Sequence, residues 1–157
     1  MVVEKAMLDT NTYQVFLEGK VGRLERLIEE GKIIIYGCKI VRDELRNTPP
    51  NLTYEGKSLR NLLITTYDSL VRNRSFPVGL EIETLAEEYY REYRGAISKK
   101  DILSDFKIVA TATIHRVDII VSEDERTMKS EHAMNAYKKI NNSKLYPMPK
   151  FLKISEL

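Results

Sequence analysis

What the chain has little of narrows its chemistry first. A single cysteine, Cys38, rules out an internal disulfide and any zinc site built from several thiolates, and it points to a reducing compartment. The only two histidines, His115 and His132, fall on separate expected helices, so a nucleophile–histidine pair has little to work with. Tryptophan is absent, and 7 glycines and 5 prolines among 157 residues form no flexible linker, repeat or low-complexity stretch. No GxGxxG, GxxxxGK[ST], GxSxG, CxxC or HExxH motif occurs, which removes dinucleotide hydride transfer, P-loop hydrolysis and thiol redox chemistry. The longest apolar runs, Ile33-Ile34-Ile35-Tyr36 and Ile119-Ile120-Val121, are far below the roughly 18 residues of a membrane span. Met1 to Leu8 holds Glu4 and Lys5 and lacks the form of a signal peptide, so the cytoplasm is the expected location. With 25 Lys and Arg against 23 Asp and Glu, the net charge of +2 is too near balance to mark a nucleic-acid binder by magnitude alone.

What is present is a soluble, globular mixture, 43% hydrophobic and 31% charged, of a length that makes one domain over residues 1–157. Lys5 to Leu8 reads as a strand closed by Asp9-Thr10-Asn11, side chains suited to begin a helix. Helical spacing runs from Tyr13 to Gly31 with a break at Gly19, followed by a buried strand at Ile33 to Tyr36. Ile40 to Leu45 reads as a helix ended by Pro49-Pro50, and further helices are expected over Leu59–Leu70, Ile82–Tyr93, Asp105–His115 and Glu125–Ile140. Ser75 to Gly79 suggests a short edge strand, Val117 to Val121 a buried strand and Lys150 to Ile154 a last one. The tyrosines at helical spacing read as core and shoulder residues. Strands alternating with helices predict an α/β fold with a mainly parallel sheet, whose ligands gather beyond the strand C-termini.

The remaining chemistry is acidic and positional. Asp9 follows the first strand and Asp124 follows the strand ending at Val121-Ser122, so both fall on the ligand-binding edge. Each alone is equally a helix cap or turn residue. Asp105 is expected at the front of its helix, where it would complement the dipole, and Glu44, flanked by Asp43 and between Arg42 and Arg46, reads by position as part of a solvated, salt-bridged face.

Taken in order, Met7-Leu8-Asp9-Thr10-Asn11, Arg42-Asp43-Glu44-Leu45, Asp105-Phe106-Lys107-Ile108-Val109-Ala110-Thr111-Ala112 and Asp118-Ile119-Ile120-Val121-Ser122-Glu123-Asp124 resemble the PIN-domain pattern, the family of the VapC-like ribonuclease toxins. The resemblance spans Lys5 to about Ile154. It implies a PIN-like three-layer α/β/α domain around a sheet of about five strands, mainly parallel. It further implies a divalent-metal-dependent endoribonuclease using Mg²⁺ or Mn²⁺, with RNA as substrate and a small antitoxin protein as partner in a VapBC toxin–antitoxin pair. A homodimer and a non-toxin RNA-processing role stay open, and no membrane is involved. Carried over, Asp9, Glu44, Asp105 and Asp124 form the catalytic quartet, with Asp9, Asp105 and Asp124 as metal ligands. Ser122 supports Asp9, and Asn11 or Thr10 steadies the first loop. Asp101, one helical turn before Asp105, is an extra acid that could compete for the third position. Arg42, Arg46, Lys107, Arg116 and Arg126 are the cations nearest the motifs and are candidates for a rim that holds the phosphate backbone. The contrasting reading is a PIN-like RNA-binding or scaffold module that no longer turns over. A phosphatase is disfavoured because no Asp-x-Asp motif lies at Asp9.

Overall fold

The computed structural model describes residues 2–157. Its sheet has five parallel strands in the order β5-β2-β1-β6-β7: β1 (Glu4–Leu8), β2 (Ile33–Cys38), β5 (Ser75–Phe76), β6 (Ile119–Val121) and β7 (Lys150–Leu152). β1 lies at the centre because Ala6, Met7 and Leu8 are apolar on both faces, as a parallel strand covered by helices on either side must be.

The helices form the outer layers. α1 (Thr10–Leu17) and α2 (Gly22–Glu29) connect β1 to β2, and α3 (Lys39–Arg46) and α4 (Leu59–Val71) connect β2 to β5. α5 (Leu80–Glu92) and α6 (Lys99–Ile114) lead to β6, and α7 (Glu131–Lys144) leads to β7. α1, α3 and α4 pack together, as do α5, α6 and α7. This is the three-layer α/β/α arrangement that the resemblance implied, around the mainly parallel sheet expected from the alternation of elements. From β1 the chain winds outward to β2 and β5, then returns to β6 on the other side of β1. The order of connection therefore reverses between β1 and β6, which makes that edge the crevice where open α/β sheets hold ligands.

α6 is buried nearly all round, with Ile108 to Thr113 each buried, so it is the inner helix of its layer. It begins at Lys99, six residues earlier than its apolar stripe suggested, because Ser98 starts it with exposed Lys99, Lys100 and Asp101 in the first turn. Asp105 is therefore within the helix and does not front it. α7 likewise begins at Glu131, since residues 122–130 are drawn into hydrogen-bonded turns around Asp124. The segment after Pro50 holds a hairpin that the residue pattern did not signal, β3 (Thr53–Tyr54) against β4 (Lys57–Ser58). Its two-residue loop, Glu55-Gly56, has both residues at positive φ, a turn usually announced by Asn-Gly or Asp-Gly.

Four tyrosines, Tyr13, Tyr67, Tyr89 and Tyr137, are fully buried, so the core reading of the aromatics holds. The Tyr67 hydroxyl donates to the Cys38 carbonyl at 3.1 Å and lies directly over Gly37. A Cβ at Gly37 would collide with the phenol and sit 2.8 Å from Val71 Cγ2. Gly37→Ala should therefore destabilise the fold by about 1–3 kcal/mol through overpacking. Urea unfolding would measure it, and a variant as stable as the parent would show that the ring moves aside freely.

Candidate active site

Register places the first two site residues. Leu8 pairs with Val121, so the next residues, Asp9 and Ser122, leave the sheet side by side. Ser122 Oγ donates to Asp9 Oδ2 at 2.8 Å, and the Thr10 backbone N–H donates to Asp9 Oδ1 at 2.7 Å. Asp9 is thus held by both oxygens while only 4% exposed. The same Ser122 hydroxyl accepts from the Asp124 N–H at 3.0 Å, which turns the chain so that Asp124 faces the same edge.

Glu44 and Asp105 arrive from opposite layers, because α3 and α6 meet across the end of the sheet. The Thr10 hydroxyl donates to Glu44 Oε2 at 2.6 Å, linking the Asp9 loop to α3. Thr127 Oγ1 bonds Asp105 Oδ2 at 2.7 Å and also touches Asp124 Oδ2. A hydroxyl has one proton, so Thr127 can donate to only one of these carboxylates at a time.

The electrostatics divide the acids. Burial, followed by the charges of Asp9, Asp124 and Glu44, pushes the Asp105 carboxyl from an ordinary 3.8 up to about 7. Burial also raises Asp9 and Glu44 against the hydrogen bonds that favour their charged forms. Burial acts to raise Asp124 too, but its bonds from the Thr127 hydroxyl and from successive backbone N–H groups outweigh this and hold it below the usual range. One acid stays ionised while its neighbour is poised to carry a proton, the separation that assigns unlike roles to like groups. Lys129, with only 7% of its side chain exposed and 3.3 Å from Glu125, is a built-in countercharge that favours ionised Asp9.

All four acids named from the sequence meet at this edge, and each acts electrostatically on Asp105 or is Asp105 itself. Asp101 does not join them. It is exposed, accepts from Ser98 Oγ at 2.9 Å and lines a cleft of about 640 Å³ together with Asn11, Ile97, Asp124 and Arg126. Asp101→Asn should accordingly leave any activity of the acidic cluster within a few-fold of the parent; a loss as deep as that from Asp105→Asn would place Asp101 in the machinery.

Asn11 is exposed on the cleft wall, and Thr10 makes the loop's bonds to Asp9 and Glu44. Thr127 and Lys129 were not singled out from the sequence; the only trace of Thr127 was its spacing, three residues after Asp124, which suits an Asp-led turn. Of the rim cations, Arg126 lines the cleft, but Arg42 is held by Asp68 through two 3.0 Å bonds, and Arg116 precedes β6 at the opposite edge of the sheet.

A divalent cation fits this donor set in kind. The ligands on offer are hard carboxylate oxygens in a half-buried site whose mutual repulsion a cation would relieve. Among the described residues no three acidic, histidine or cysteine side chains already close into a ligand cage. Mg²⁺ does not need one, because it keeps several waters and takes one or two carboxylates beside a substrate phosphate.

No family model matches the chain, and no curated protein matches it. Solved structures do share its fold. A chain of FitAcB from Neisseria gonorrhoeae is similar with a TM-score of 0.63 at 19% identity, covering 97% of this chain and 99% of that one. A chain of VapBC-1 from nontypeable Haemophilus influenzae has a TM-score of 0.62 at 11% identity, over 96% and 98%. A chain of VapBC2 from Rickettsia felis, bound to a DNA fragment from their promoter, has 0.59 at 16% identity, over 95% and 98%. The PIN-like architecture expected is thus the one the chain has. The assignment to the PIN-domain family is corrected: no family model supports it, and likeness at this identity to complexes named FitAB and VapBC carries fold, not membership. The physical reason is that acids beyond the strand ends follow from the architecture, which very different sequences satisfy.

Among the described residues no helix is long and apolar enough to cross a membrane.

Proposed function

We propose that the chain is a divalent-metal-dependent endoribonuclease that hydrolyses RNA phosphodiester bonds and acts as the toxin of a toxin–antitoxin pair. The observation that carries the reading is the convergence of Asp9, Glu44, Asp105 and Asp124, from four separate segments, on the switch-point edge of the sheet, with Asp105 pushed up to about 7. The partner follows from the shape shared with chains of the FitAcB and VapBC complexes over nearly their full length.

Asp9, Asp105 and Asp124 would hold Mg²⁺ or Mn²⁺. When bound, the ion would supply an activated water and charge neutralisation at the phosphate. The chain's own residues do the positioning. Ser122 and the Thr10 N–H fix the Asp9 carboxylate, Thr127 ties Asp105 to Asp124, and the Thr10 hydroxyl holds Glu44 where it can accept a proton from attacking water. No histidine is required.

The test is end-labelled RNA incubated with the protein in Mn²⁺ or Mg²⁺, with EDTA and the Asp9→Asn protein in parallel. Cleavage that needs the ion and Asp9 is expected. Cleavage that survives in the variant would be a contaminant's, and a purified protein inactive on RNA with either metal would remove the nuclease reading.

A further inference from the structure

An acidic cleft repels the phosphates of the strand it is to cut, so the strand must be gripped by cations outside it. Most basic side chains near the site are already committed. Arg42 is spent on Asp68, Lys129 and Lys153 on Glu125, and Lys39 on Asp43 at 2.5 Å. Arg126 on the cleft wall, Arg46 and Arg60 are different: among the described residues none of them makes an ion pair, and Arg46 and Arg60 stand together.

These two guanidiniums line one pocket of about 450 Å³ between the end of α3 and the start of α4, with Asn47, Asn61 and the neutralised Asp43. α4 has 13 residues, and Arg60 and Asn61 lie in its first turn, at the positive end of the helix dipole, although the Leu59 and Asn61 N–H groups are already taken by Leu52 and Ser58. The β3–β4 hairpin packs on that end of α4 and adds the exposed Lys57, three residues before Arg60. Asp43 on the pocket wall and Glu44 at the acids are consecutive residues of α3, about 100° apart around its axis, so the pocket opens on the flank of the helix next to the one turned to the acids.

We propose that this pocket is a phosphate subsite for single-stranded RNA, in which Arg46 and Arg60 grip the backbone beside the strand segment held over the acids. The inference rests on the ribonuclease reading. Both arginines are positioning residues: planar guanidiniums suit phosphate oxygens, and the contacts carry no base information.

The experiment is fluorescence anisotropy of a short single-stranded RNA with the full chain in Ca²⁺, across a salt series, with intactness of the RNA checked. The parent is compared with Arg46→Ala/Arg60→Ala and with Arg26→Ala/Lys138→Ala, two exposed cations on α2 and α7, which removes the same charge elsewhere. The subsite predicts at least about a tenfold loss for the first pair, with the slope of log affinity against log salt shallower by about 1.4, or 0.7 for each contact to a single strand. The control pair should stay near the parent. Under cleavage conditions the first pair should raise KM and leave kcat nearly unchanged. Equal losses in both pairs would overturn the subsite in favour of diffuse charge. A parent that binds and cuts RNA while Arg46→Ala/Arg60→Ala does so equally well would overturn the subsite and leave the nuclease standing. A parent that neither binds nor cuts RNA would overturn both.

Discussion

Asp9→Asn and Asp105→Asn are each expected to lower RNA cleavage by at least about a hundredfold while the fold persists, the scale of losing one preorganised charge at a reacting centre. The fold should persist because the replacements are nearly isosteric and the network can adjust. At position 9 the amide oxygen can keep the Thr10 N–H, while the Ser122 hydroxyl rotates to accept from the new NH₂ group. At position 105 the amide oxygen can keep the Thr127 hydroxyl. What neither amide restores is the negative charge that a cation would need. Single-turnover cleavage in Mn²⁺, with circular dichroism to confirm folding, measures the effect. Near-parental rates in both variants would remove these carboxylates from the chemistry.

Without metal, Asp105→Asn should melt at a higher temperature than the parent, by roughly 5 °C at pH 8 in EDTA. Asp105 titrates near 7 in the folded protein against an ordinary 3.8, because its charge is buried among other acids. A carboxyl raised in this way stabilises the fold while it is protonated. Its contribution is complete below about pH 4 and is lost as pH rises to and through 7. Each unit between the two values is worth about 1.4 kcal/mol, so the loss is on the order of a few kcal/mol. Asp9 and Glu44, also raised by burial, act in the same direction. Asp124 acts oppositely, but its effect falls below pH 4, outside this window. The parent in EDTA should therefore lose stability between pH 5 and pH 8, and Asp105→Asn should flatten that slope. Mn²⁺ should reverse the order at pH 8, since a ligand stabilises the folded state according to its affinity and the variant binds it less well. Paired melting curves at both pH values, with EDTA and with Mn²⁺, decide the matter. A variant less stable in EDTA, together with a parent unmoved by metal, would mean that the acids form no coupled cluster.

How far the site could be read without coordinates varied by residue. Asp9 and Asp124 were legible because a strand end is visible locally, in Ala6-Met7-Leu8 and Ile119-Ile120-Val121, and the acid follows it within three residues. Glu44 was hidden inside Arg42-Asp43-Glu44-Leu45-Arg46, where any acid resembles a solvated one. It became a candidate only through the order of the motifs, and the structure puts it beside the Asp9 loop although the family that order suggested is not supported. Asp101 and Asp105, one turn apart on α6, could not be ranked from spacing, because which of them faces inward depends on how α6 lies on its neighbours.

The sequence by itself determined the order of elements and the mainly parallel sheet, since apolar period and strand–helix alternation are properties of short stretches and leave few topologies open. It also made the carboxylates the candidate site, since His115, His132 and Cys38 offer few alternatives. Only the tertiary structure decided which acids are buried together, that Thr10, Ser122 and Thr127 hold them, that Arg42 is occupied, and that Arg46 and Arg60 share a pocket. Those facts depend on the register of β1 against β6, on α3 meeting α6 across the sheet end and on α3 packing against α4, contacts between residues 14 to 113 positions apart whose side-chain partners no local pattern encodes.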